Sequence, residues 1–275
     1  MFVFIDCLNE AIFAEDIELM ILEHKGTPIF YSDQGKGTAV VLLHGFLENS
    51  TMWKDVASTL SQTHRVITID LLGHGQTGCI GYVHTMAQMA EAVHTVLKSL
   101  RLRRVLLIGH SMGGYVSLAF AQKHPEMVKG ICLINSTAQA DDEDRKQLRA
   151  RANKMVQTNF ESMVRTSVGN LFKPTSLQKF SNQVLEVKKE ALKTPVQGYI
   201  AANEGMRIRP NRISTLHNVD HVFYIIGKYD PIMNVDSIVK EAESVHAKYS
   251  ILESGHMSHV ESQEDLVKKL KYFLA

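Results

Sequence analysis

Five short apolar runs constrain the fold of this chain more than any other feature of its sequence. Each run is continuous and rich in β-branched residues, which is typical of strands buried on both faces of a parallel sheet. Between the second and third runs, residues 84–100 repeat their apolar positions every 3.6 residues or so, which predicts an amphipathic helix. The runs are VVLL at 40–43, VITI at 66–69, VLLI at 105–108, ICLI at 131–134 and VFYII at 222–226.

The alternation of strands and helices predicts βαβ crossovers and hence a doubly wound α/β fold. Further helices are predicted over 115–122 and 235–245, and a further strand over 249–252. Residues 17–22 and 28–31 flank a short turn, HKG, and have the pattern of an antiparallel hairpin that precedes the parallel strands.

The spacing of the runs indicates an insertion. Their starts, at residues 40, 66, 105, 131 and 222, are 26, 39, 26 and 91 residues apart. A strand with its helix needs about 30 residues, so roughly 50–60 residues of the last interval are not needed by the sheet. We expect two or three short helices at about 137–193, forming a cap over the C-terminal edge of the sheet of a single domain, 1–275. Helix starts are predicted at residues 141–144, Asn159, Pro174-Thr175 and Thr194-Pro195.

Charge and cysteine content limit the partners and the compartment. Thirty Lys and Arg against twenty-nine Asp and Glu leave a formal charge of +1, so we expect neither nucleic acid nor a membrane as a partner, but a small-molecule substrate. The three cysteines, Cys7, Cys79 and Cys132, are far apart and fit a reducing cytosol, which predicts a cytoplasmic protein. Residues 1–19 lack the basic start of a signal peptide and are interpreted as an N-terminal extension.

A strand-to-helix turn carries the candidate nucleophile. The run at 105–108 leads directly into GHSMGG, residues 109–114, and then into a helix. So tight a turn requires nearly side-chain-free residues two positions before and after the serine, and Gly109 and Gly113 meet that requirement. Such a turn presents the Ser111 hydroxyl above the sheet edge. The alternative is a glycine-rich turn whose serine has no chemical role.

A serine nucleophile needs a base, and the base needs a group that holds its tautomer. Asp230 follows the run at 222–226, and His256 follows the predicted strand at 249–252, so both are expected at the rim that carries Ser111. The alternatives are a turn aspartate before Pro231 and an ordinary loop histidine. Asp236, inside the following helix, is the weaker candidate for the acid.

Acyl transfer also needs donors that stabilise the oxyanion. The backbone N–H of Met112, directly after the serine, is one expected donor. The loop after the first buried run contains His44-Gly45-Phe46, and we assign the second donor to the N–H of Phe46.

These motifs together resemble the α/β-hydrolase family from about Met20 onward. The matching segments, in the family's order, are HGF at 44–46, DLLGHG at 70–75, GHSMGG at 109–114, GKYDP at 227–231 and SGHMSHVE at 254–261. The resemblance implies an eight-stranded, mostly parallel sheet, a cap after the sixth strand and the triad Ser111–Asp230–His256. It further implies that His44 and the segment 70–75 support the active-site loops.

Departures from related families narrow the expected activity. Haloalkane dehalogenases and epoxide hydrolases have aspartate at the nucleophile position, where this chain has serine. The loop HGFLEN differs from the HGGPG of proline iminopeptidases and from the corresponding loop of C–C hydrolases. No metal site or cofactor is predicted, because His256 and His259 lack a further ligand at suitable spacing and neither a Walker nor a dinucleotide motif is present.

The sequence therefore predicts a carboxylesterase that acts through an acyl-enzyme on a small or medium uncharged ester. The alternatives are the same triad acting on a thioester, lactone or C–C bond, and a ligand-binding protein without catalytic activity.

Overall fold

The computed structural model of the protein describes residues 18–275. Its central sheet has eight strands. They are β1 (Glu18–His24), β2 (Thr27–Gln34), β3 (Ala39–Leu43), β4 (Arg65–Ile69), β5 (Val105–His110), β6 (Val128–Ile134), β7 (Val222–Gly227) and β8 (Lys248–Leu252). Of the predicted N-terminal extension, residues 1–17, with Cys7, lie outside the described part of the chain.

The strand order is β1-β2-β4-β3-β5-β6-β7-β8. β1 and β2 form the predicted antiparallel hairpin, and β2 also pairs antiparallel with β4. All later pairings are parallel, from β4–β3 through to β7–β8. The predicted fold class, a doubly wound and mostly parallel eight-stranded sheet, is thus confirmed.

Helices cover the sheet and extend beyond one of its edges. Within residues 18–275, no helix combines the length and apolar character that crossing a bilayer requires. The α-helices are α1 (Lys54–Leu60), α2 (Met86–Ser99), α3 (Met112–Lys123), α4 (Glu143–Gly169), α5 (Pro174–Lys179), α6 (Ser181–Ala191), α7 (Val196–Arg207), α8 (Ile213–Leu216), α9 (Val235–Ser244), α10 (Ser258–Glu261) and α11 (Gln263–Leu274).

The parallel strands are apolar throughout because they contribute to two cores. Successive side chains of a strand point to opposite faces of the sheet. In β3, Val41 and Leu43 enter the core covered by α2, α3 and α9, whereas Val40 and Leu42 enter the core covered by α1 and α11. Both faces of the strand are therefore buried, and alternation between apolar and polar residues disappears.

The insertion between β6 and β7 lies over the C-terminal ends of the strands. Its helices α4 and α7 are joined through Asn203, whose amide nitrogen donates to the carbonyl oxygen of Arg149 at 3.0 Å. An apolar cluster that includes Val156 and Tyr199 extends to Leu47 and Met257, in the loops after β3 and β8. The inserted helices therefore pack against the same loops in which the candidate site residues were sought.

Two details of the insertion bear on the predicted helix starts. α4 spans 27 residues, but Asn159 has a non-helical conformation (φ −133°, ψ 42°) inside it, so two helical segments meet there, as the predicted helix start at Asn159 implies. Asn159 therefore marks a kink, because asparagine hydrogen bonds readily to nearby backbone groups and is a weak helix former. Before α7 the capping residue is Pro195 rather than Thr194. The assignment of residues 137–193 as the cap stays a prediction.

The close contact between α3 and the sheet generates a stability prediction. A Cβ at Gly113 would lie 2.2 Å from the carbonyl oxygen of Leu43 in β3, so Gly113→Ala should lower the free energy of unfolding by about 3 kcal/mol. At Gly169, the end of α4, the nearest atom would be Lys188 Nζ at 3.6 Å, and Gly169→Ala should raise it by about 0.5 kcal/mol. Urea unfolding measures both, and effects of the same sign would contradict the steric explanation.

Candidate active site

The predicted nucleophile occupies the turn between β5 and α3. β5 ends at His110 and α3 begins at Met112, so Ser111 alone connects them. It has φ 49° and ψ −114°, a conformation that residues other than glycine rarely adopt. The end of β6 holds it there: the Ser111 amide donates to the carbonyl oxygen of Ile134 at 2.9 Å, and its carbonyl accepts the Ser136 hydroxyl at 2.8 Å.

The two flanking glycines allow this turn to form. A Cβ at Gly109 would lie 2.4 Å from the carbonyl carbon of Gly113. A side chain at Gly109 would push β5 away from α3, and one at Gly113 would push α3 away from β3. The prediction that this tight turn requires glycine at both positions is thereby confirmed.

Asp230 and His256 lie together at the same edge of the sheet. Asp230 follows the end of β7, and His256 follows the end of β8. Nδ1 of His256 is 2.7 Å from Oδ2 of Asp230, and both residues are buried. A carboxylate can only accept, so Nδ1 donates and Nε2 is left as the acceptor nitrogen of the neutral ring.

The surroundings of Asp230 favour its ionised form. Oδ1 accepts the backbone amides of Ile232 and Met233 at 2.7 and 3.0 Å, and Oδ2 also accepts the Asn135 side-chain amide at 2.8 Å. Burial opposes ionisation, but His256 and these donors outweigh it and hold the pKa of Asp230 below its ordinary value.

Asn135 is a site residue that the sequence analysis missed. It follows β6 directly and has a positive φ of 47°. Besides Asp230, it binds the loop that carries the histidine: its Nδ2 donates to the carbonyl oxygen of Gly255 at 3.2 Å, and its Oδ1 accepts the Ser258 hydroxyl at 2.6 Å. The sequence did contain a signal for this role, because Asn135 is a polar residue directly after a buried strand and therefore lies at this edge of the sheet.

Ser111 and His256 line one cavity of about 720 Å³ between the sheet edge and the inserted helices. Phe46 lines the cavity on the sheet side, and Leu148 and Tyr199 line it on the helix side. The backbone amide of His256 donates to the carbonyl oxygen of Leu171 at 2.8 Å, so the insertion also holds the histidine loop. Within residues 18–275, the Ser111 hydroxyl has no hydrogen-bond partner.

The two predicted oxyanion residues lie at the start of α3 and in the loop after β3. Met112 is the first residue of α3, so its N–H belongs to the positive end of the helix. Phe46 lies in the loop after β3 and contacts Tyr199 of α7 with a distance of 4.8 Å between ring centroids. Their assignment as oxyanion donors remains a prediction.

His44 and Asp70 bind loop backbone and do not line the cavity. Nε2 of His44 accepts the amide of Leu71 at 2.8 Å. Asp70 accepts the amide of Ser50 through Oδ1 at 2.7 Å and the amide of Gln76 through Oδ2 at 2.8 Å. These bonds join the loop after β3 to the loop after β4, and they accord with the supporting role that the family resemblance implies.

A second buried cluster was not predicted from the sequence. Glu48, His110 and His259 place their donor atoms within 4.8 Å of one another. Oε2 of Glu48 is 2.7 Å from Nδ1 of His110, and Nε2 of His110 is 2.9 Å from the carbonyl oxygen of His256. Both ring nitrogens of His110 are thus engaged, so the three groups as arranged do not form an open coordination site.

Comparison with known proteins leads to the same fold as the strand order does. The sequence pattern of the alpha/beta hydrolase fold matches residues 38–263. Among solved structures, a thermophilic esterase from Thermogutta terrifontis superposes with a TM-score of 0.87 and 26% identity, covering 94% of this chain and 98% of that one.

Curated relatives differ in how much they share. The 3-oxoadipate enol-lactonase 1 of Acinetobacter baylyi is 24% identical over 260 residues, which are 93% of this chain and 96% of that protein. An uncharacterized protein of Mycobacterium tuberculosis is 38% identical over 102 residues, which are 37% of this chain but only 30% of that protein.

The buried histidine of the loop after β4 generates a prediction for acid stability. Burial and the neighbouring His44 lower the pKa of His74 from 6.5 to about 3. Between these values the unfolded chain binds one more proton than the folded chain, so His74 makes stability fall as the pH drops, by up to about 1.4 kcal/mol per pH unit. His74→Gln should reduce this slope, as measured by urea unfolding between about pH 4.5 and about pH 6.

The exposed His217 provides the matched control, because His217→Gln makes the same chemical change at the surface. It should retain the wild-type slope. A wild-type slope in His74→Gln would show that the proton uptake on unfolding belongs to other groups.

Proposed function

Because the chain belongs to the α/β-hydrolase family, we propose that it is a serine hydrolase that cleaves a small or medium uncharged carboxylic ester. The observation that carries this proposal is the 2.7 Å hydrogen bond from His256 Nδ1 to Asp230, beside the cavity that Ser111 also lines. A buried carboxylate–imidazole pair next to a serine in a strained turn is the arrangement that nucleophilic catalysis requires.

In the proposed reaction, Nε2 of His256 takes the proton of the Ser111 hydroxyl while Asp230 holds the imidazole through Nδ1. The serine oxygen attacks the ester carbonyl, and the N–H groups of Phe46 and Met112 stabilise the oxyanion. The intermediate collapses to the acyl-serine, and the alcohol leaves with the proton from His256. Water then gives a proton to His256 and adds to the acyl carbon, and collapse releases the acid and restores the serine hydroxyl.

The cavity lining carries charges of both signs, on Glu48, Asp142, Asp144, Arg145 and Arg149. Nε of Arg149 is 2.5 Å from Asp141 Oδ2, and its Nη1 donates to Asn203 at 2.9 Å. Because the lining does not present one sign alone, it supports an uncharged substrate. Phe46 and Leu148 add apolar surface, and about 720 Å³ is within the range of small-molecule sites, about 300–1,000 Å³.

A lactone is the second candidate, because it is a cyclic ester that the same attack would open. The enol-lactonase of Acinetobacter baylyi, similar over 93% of this chain, supports it. Thioesters and C–C bonds would use the same residues, whereas a ligand-binding protein has no need of all three. Hydrolysis rates on a panel of linear esters, lactones and thioesters would rank these substrates.

Ser111→Ala should abolish hydrolysis of p-nitrophenyl acetate and covalent labelling by a fluorophosphonate, because no other group attacks the carbonyl. Ser117→Ala is the matched control: this serine lies in α3, directly after the turn that holds Ser111, and its buried hydroxyl donates to the carbonyl oxygen of Gly113 at 2.9 Å. The control should retain both activities. Wild-type protein as inert as Ser111→Ala would favour the ligand-binding alternative.

Asp230→Asn should lower kcat by about 10³- to 10⁴-fold with little change in KM, because an amide no longer holds the required imidazole tautomer. Asp236→Asn makes the same change at an exposed position in the first turn of α9 and should leave kcat unchanged. Steady-state kinetics on p-nitrophenyl acetate distinguish them. A larger loss in Asp236→Asn would transfer the acid's role to that residue.

A further inference from the structure

The mechanism above does not use Glu48 and His110, although they form a buried pair beside Ser111. Their side chains are 5% and 2% exposed. Removing two ionisable groups from water is unfavourable unless each is well hydrogen bonded, and such pairs are weak contributors to stability. Stability alone therefore does not account for this pair.

The hydrogen-bond partners determine where the protons lie. Nε2 of His110 faces the carbonyl oxygen of His256, which can only accept, so Nε2 carries a hydrogen. Oε2 of Glu48 accepts the Gly45 amide at 2.7 Å and faces Nδ1 of His110. Burial opposes charge on both, but their mutual attraction prevails, lowering the pKa of Glu48 to about 2 and raising that of His110. The pair is an imidazolium–carboxylate ion pair.

This ion pair joins the three segments that carry the proposed catalytic groups. Glu48 binds the backbone of the oxyanion loop at Gly45, and His110 directly precedes Ser111 and binds the backbone of His256. The approach at Gly45 leaves no room for a side chain, since a Cβ there would lie 2.4 Å from Glu48 Oε2 and 2.7 Å from His110 Nδ1. The oxyanion loop can therefore close on the pair only with glycine at this position.

The pair also contacts the loop of the proposed base. The rings of His110 and His256 are 5.0 Å apart between centroids, and it is His110, not Glu48, that contacts His256. A displacement of His110 would therefore displace the His256 loop as well. The titratable groups around His110 are Glu48, Asp230, His44, His256 and His259.

We propose that Glu48 and His110 are positioning residues for the reaction proposed above. Their ion pair fixes the oxyanion loop, the nucleophile turn and the His256 loop relative to one another. Neither residue touches the reacting atoms or exchanges a proton with substrate. The inference rests on the proposed function, because it assigns these residues to the same serine-dependent hydrolysis.

The test is Glu48→Gln, which keeps the shape of the side chain and removes its charge. We expect kcat on p-nitrophenyl acetate to fall by about 10- to 100-fold, with KM within about threefold, because misplaced groups weaken binding of the transition state. A purely structural pair would instead lower thermal stability and leave kcat per folded enzyme unchanged.

Two further variants separate positioning from folding. Glu241→Gln is the matched control: Glu241 is also buried and accepts the Ala138 amide at 2.7 Å and the Tyr224 hydroxyl at 2.9 Å, so this variant should lose thermal stability and keep the wild-type kcat. If Glu48→Gln does not fold, the double variant Glu48→Gln/His110→Gln replaces both charges with amides that can bond each other, and the same loss of kcat is expected.

Fluorophosphonate labelling of wild type and Ser111→Ala is done first, since equal labelling of both would reject the serine mechanism itself. With that mechanism established, a wild-type kcat in Glu48→Gln, within about twofold, overturns the inference. An equal loss of kcat in Glu241→Gln also overturns it, because that result is expected when any buried carboxylate is removed. A lower kcat in Glu48→Gln alone, with KM within about threefold, supports it.

Discussion

The carboxyl ends of parallel strands meet at one edge of a sheet, and every contact at the candidate site depends on that constraint. β5, β6, β7 and β8 are successive neighbours, and they are followed by Ser111, Asn135, Asp230 and His256 respectively. Neighbouring strands lie about 4.8 Å apart, so their ends can exchange hydrogen bonds across long stretches of sequence. Asn135 and Asp230, 95 residues apart, are joined at 2.8 Å in this way.

Hydrogen bonds at the same edge also offset the conformational strain of several loop residues. Ser111, Asn135 and Leu47 all have positive φ values, between 47° and 63°, and such conformations cost about 1–3 kcal/mol each. The Ser111 amide donates to the end of β6, and the Asn135 amide donates to Ile225 of β7 at 2.9 Å. These bonds continue the parallel ladder past the last residue of each strand. The ladder itself thus holds the loops in conformations that they would not adopt alone.

The sequence predicted correctly those features that depend on a short stretch of residues. Continuous apolar runs located the parallel strands because burial on both faces is a property of each strand by itself, and glycines two positions from Ser111 revealed the turn for the same reason. The hydrogen bond between Glu48 and His110 joins residues 62 positions apart and depends on which strands are neighbours. The spacing of apolar residues along the sequence therefore cannot predict it. The helix boundary predicted at Asn159 coincides with the kink that divides α4, because asparagine is a weak helix former and this preference is local.

Two carboxylate–imidazole pairs lie side by side at this edge, and the second ring nitrogen distinguishes them. In both pairs Nδ1 lies 2.7 Å from a buried carboxylate oxygen. Nε2 of His110 is committed to the carbonyl oxygen of His256, so it cannot accept a proton from a substrate or a serine. His256 borders the cavity shared with Ser111, and within residues 18–275 its Nε2 has no such hydrogen bond. The two pairs thus share the same pairing chemistry, and the roles proposed for them, proton transfer by His256 and positioning by His110, rest on their different neighbours.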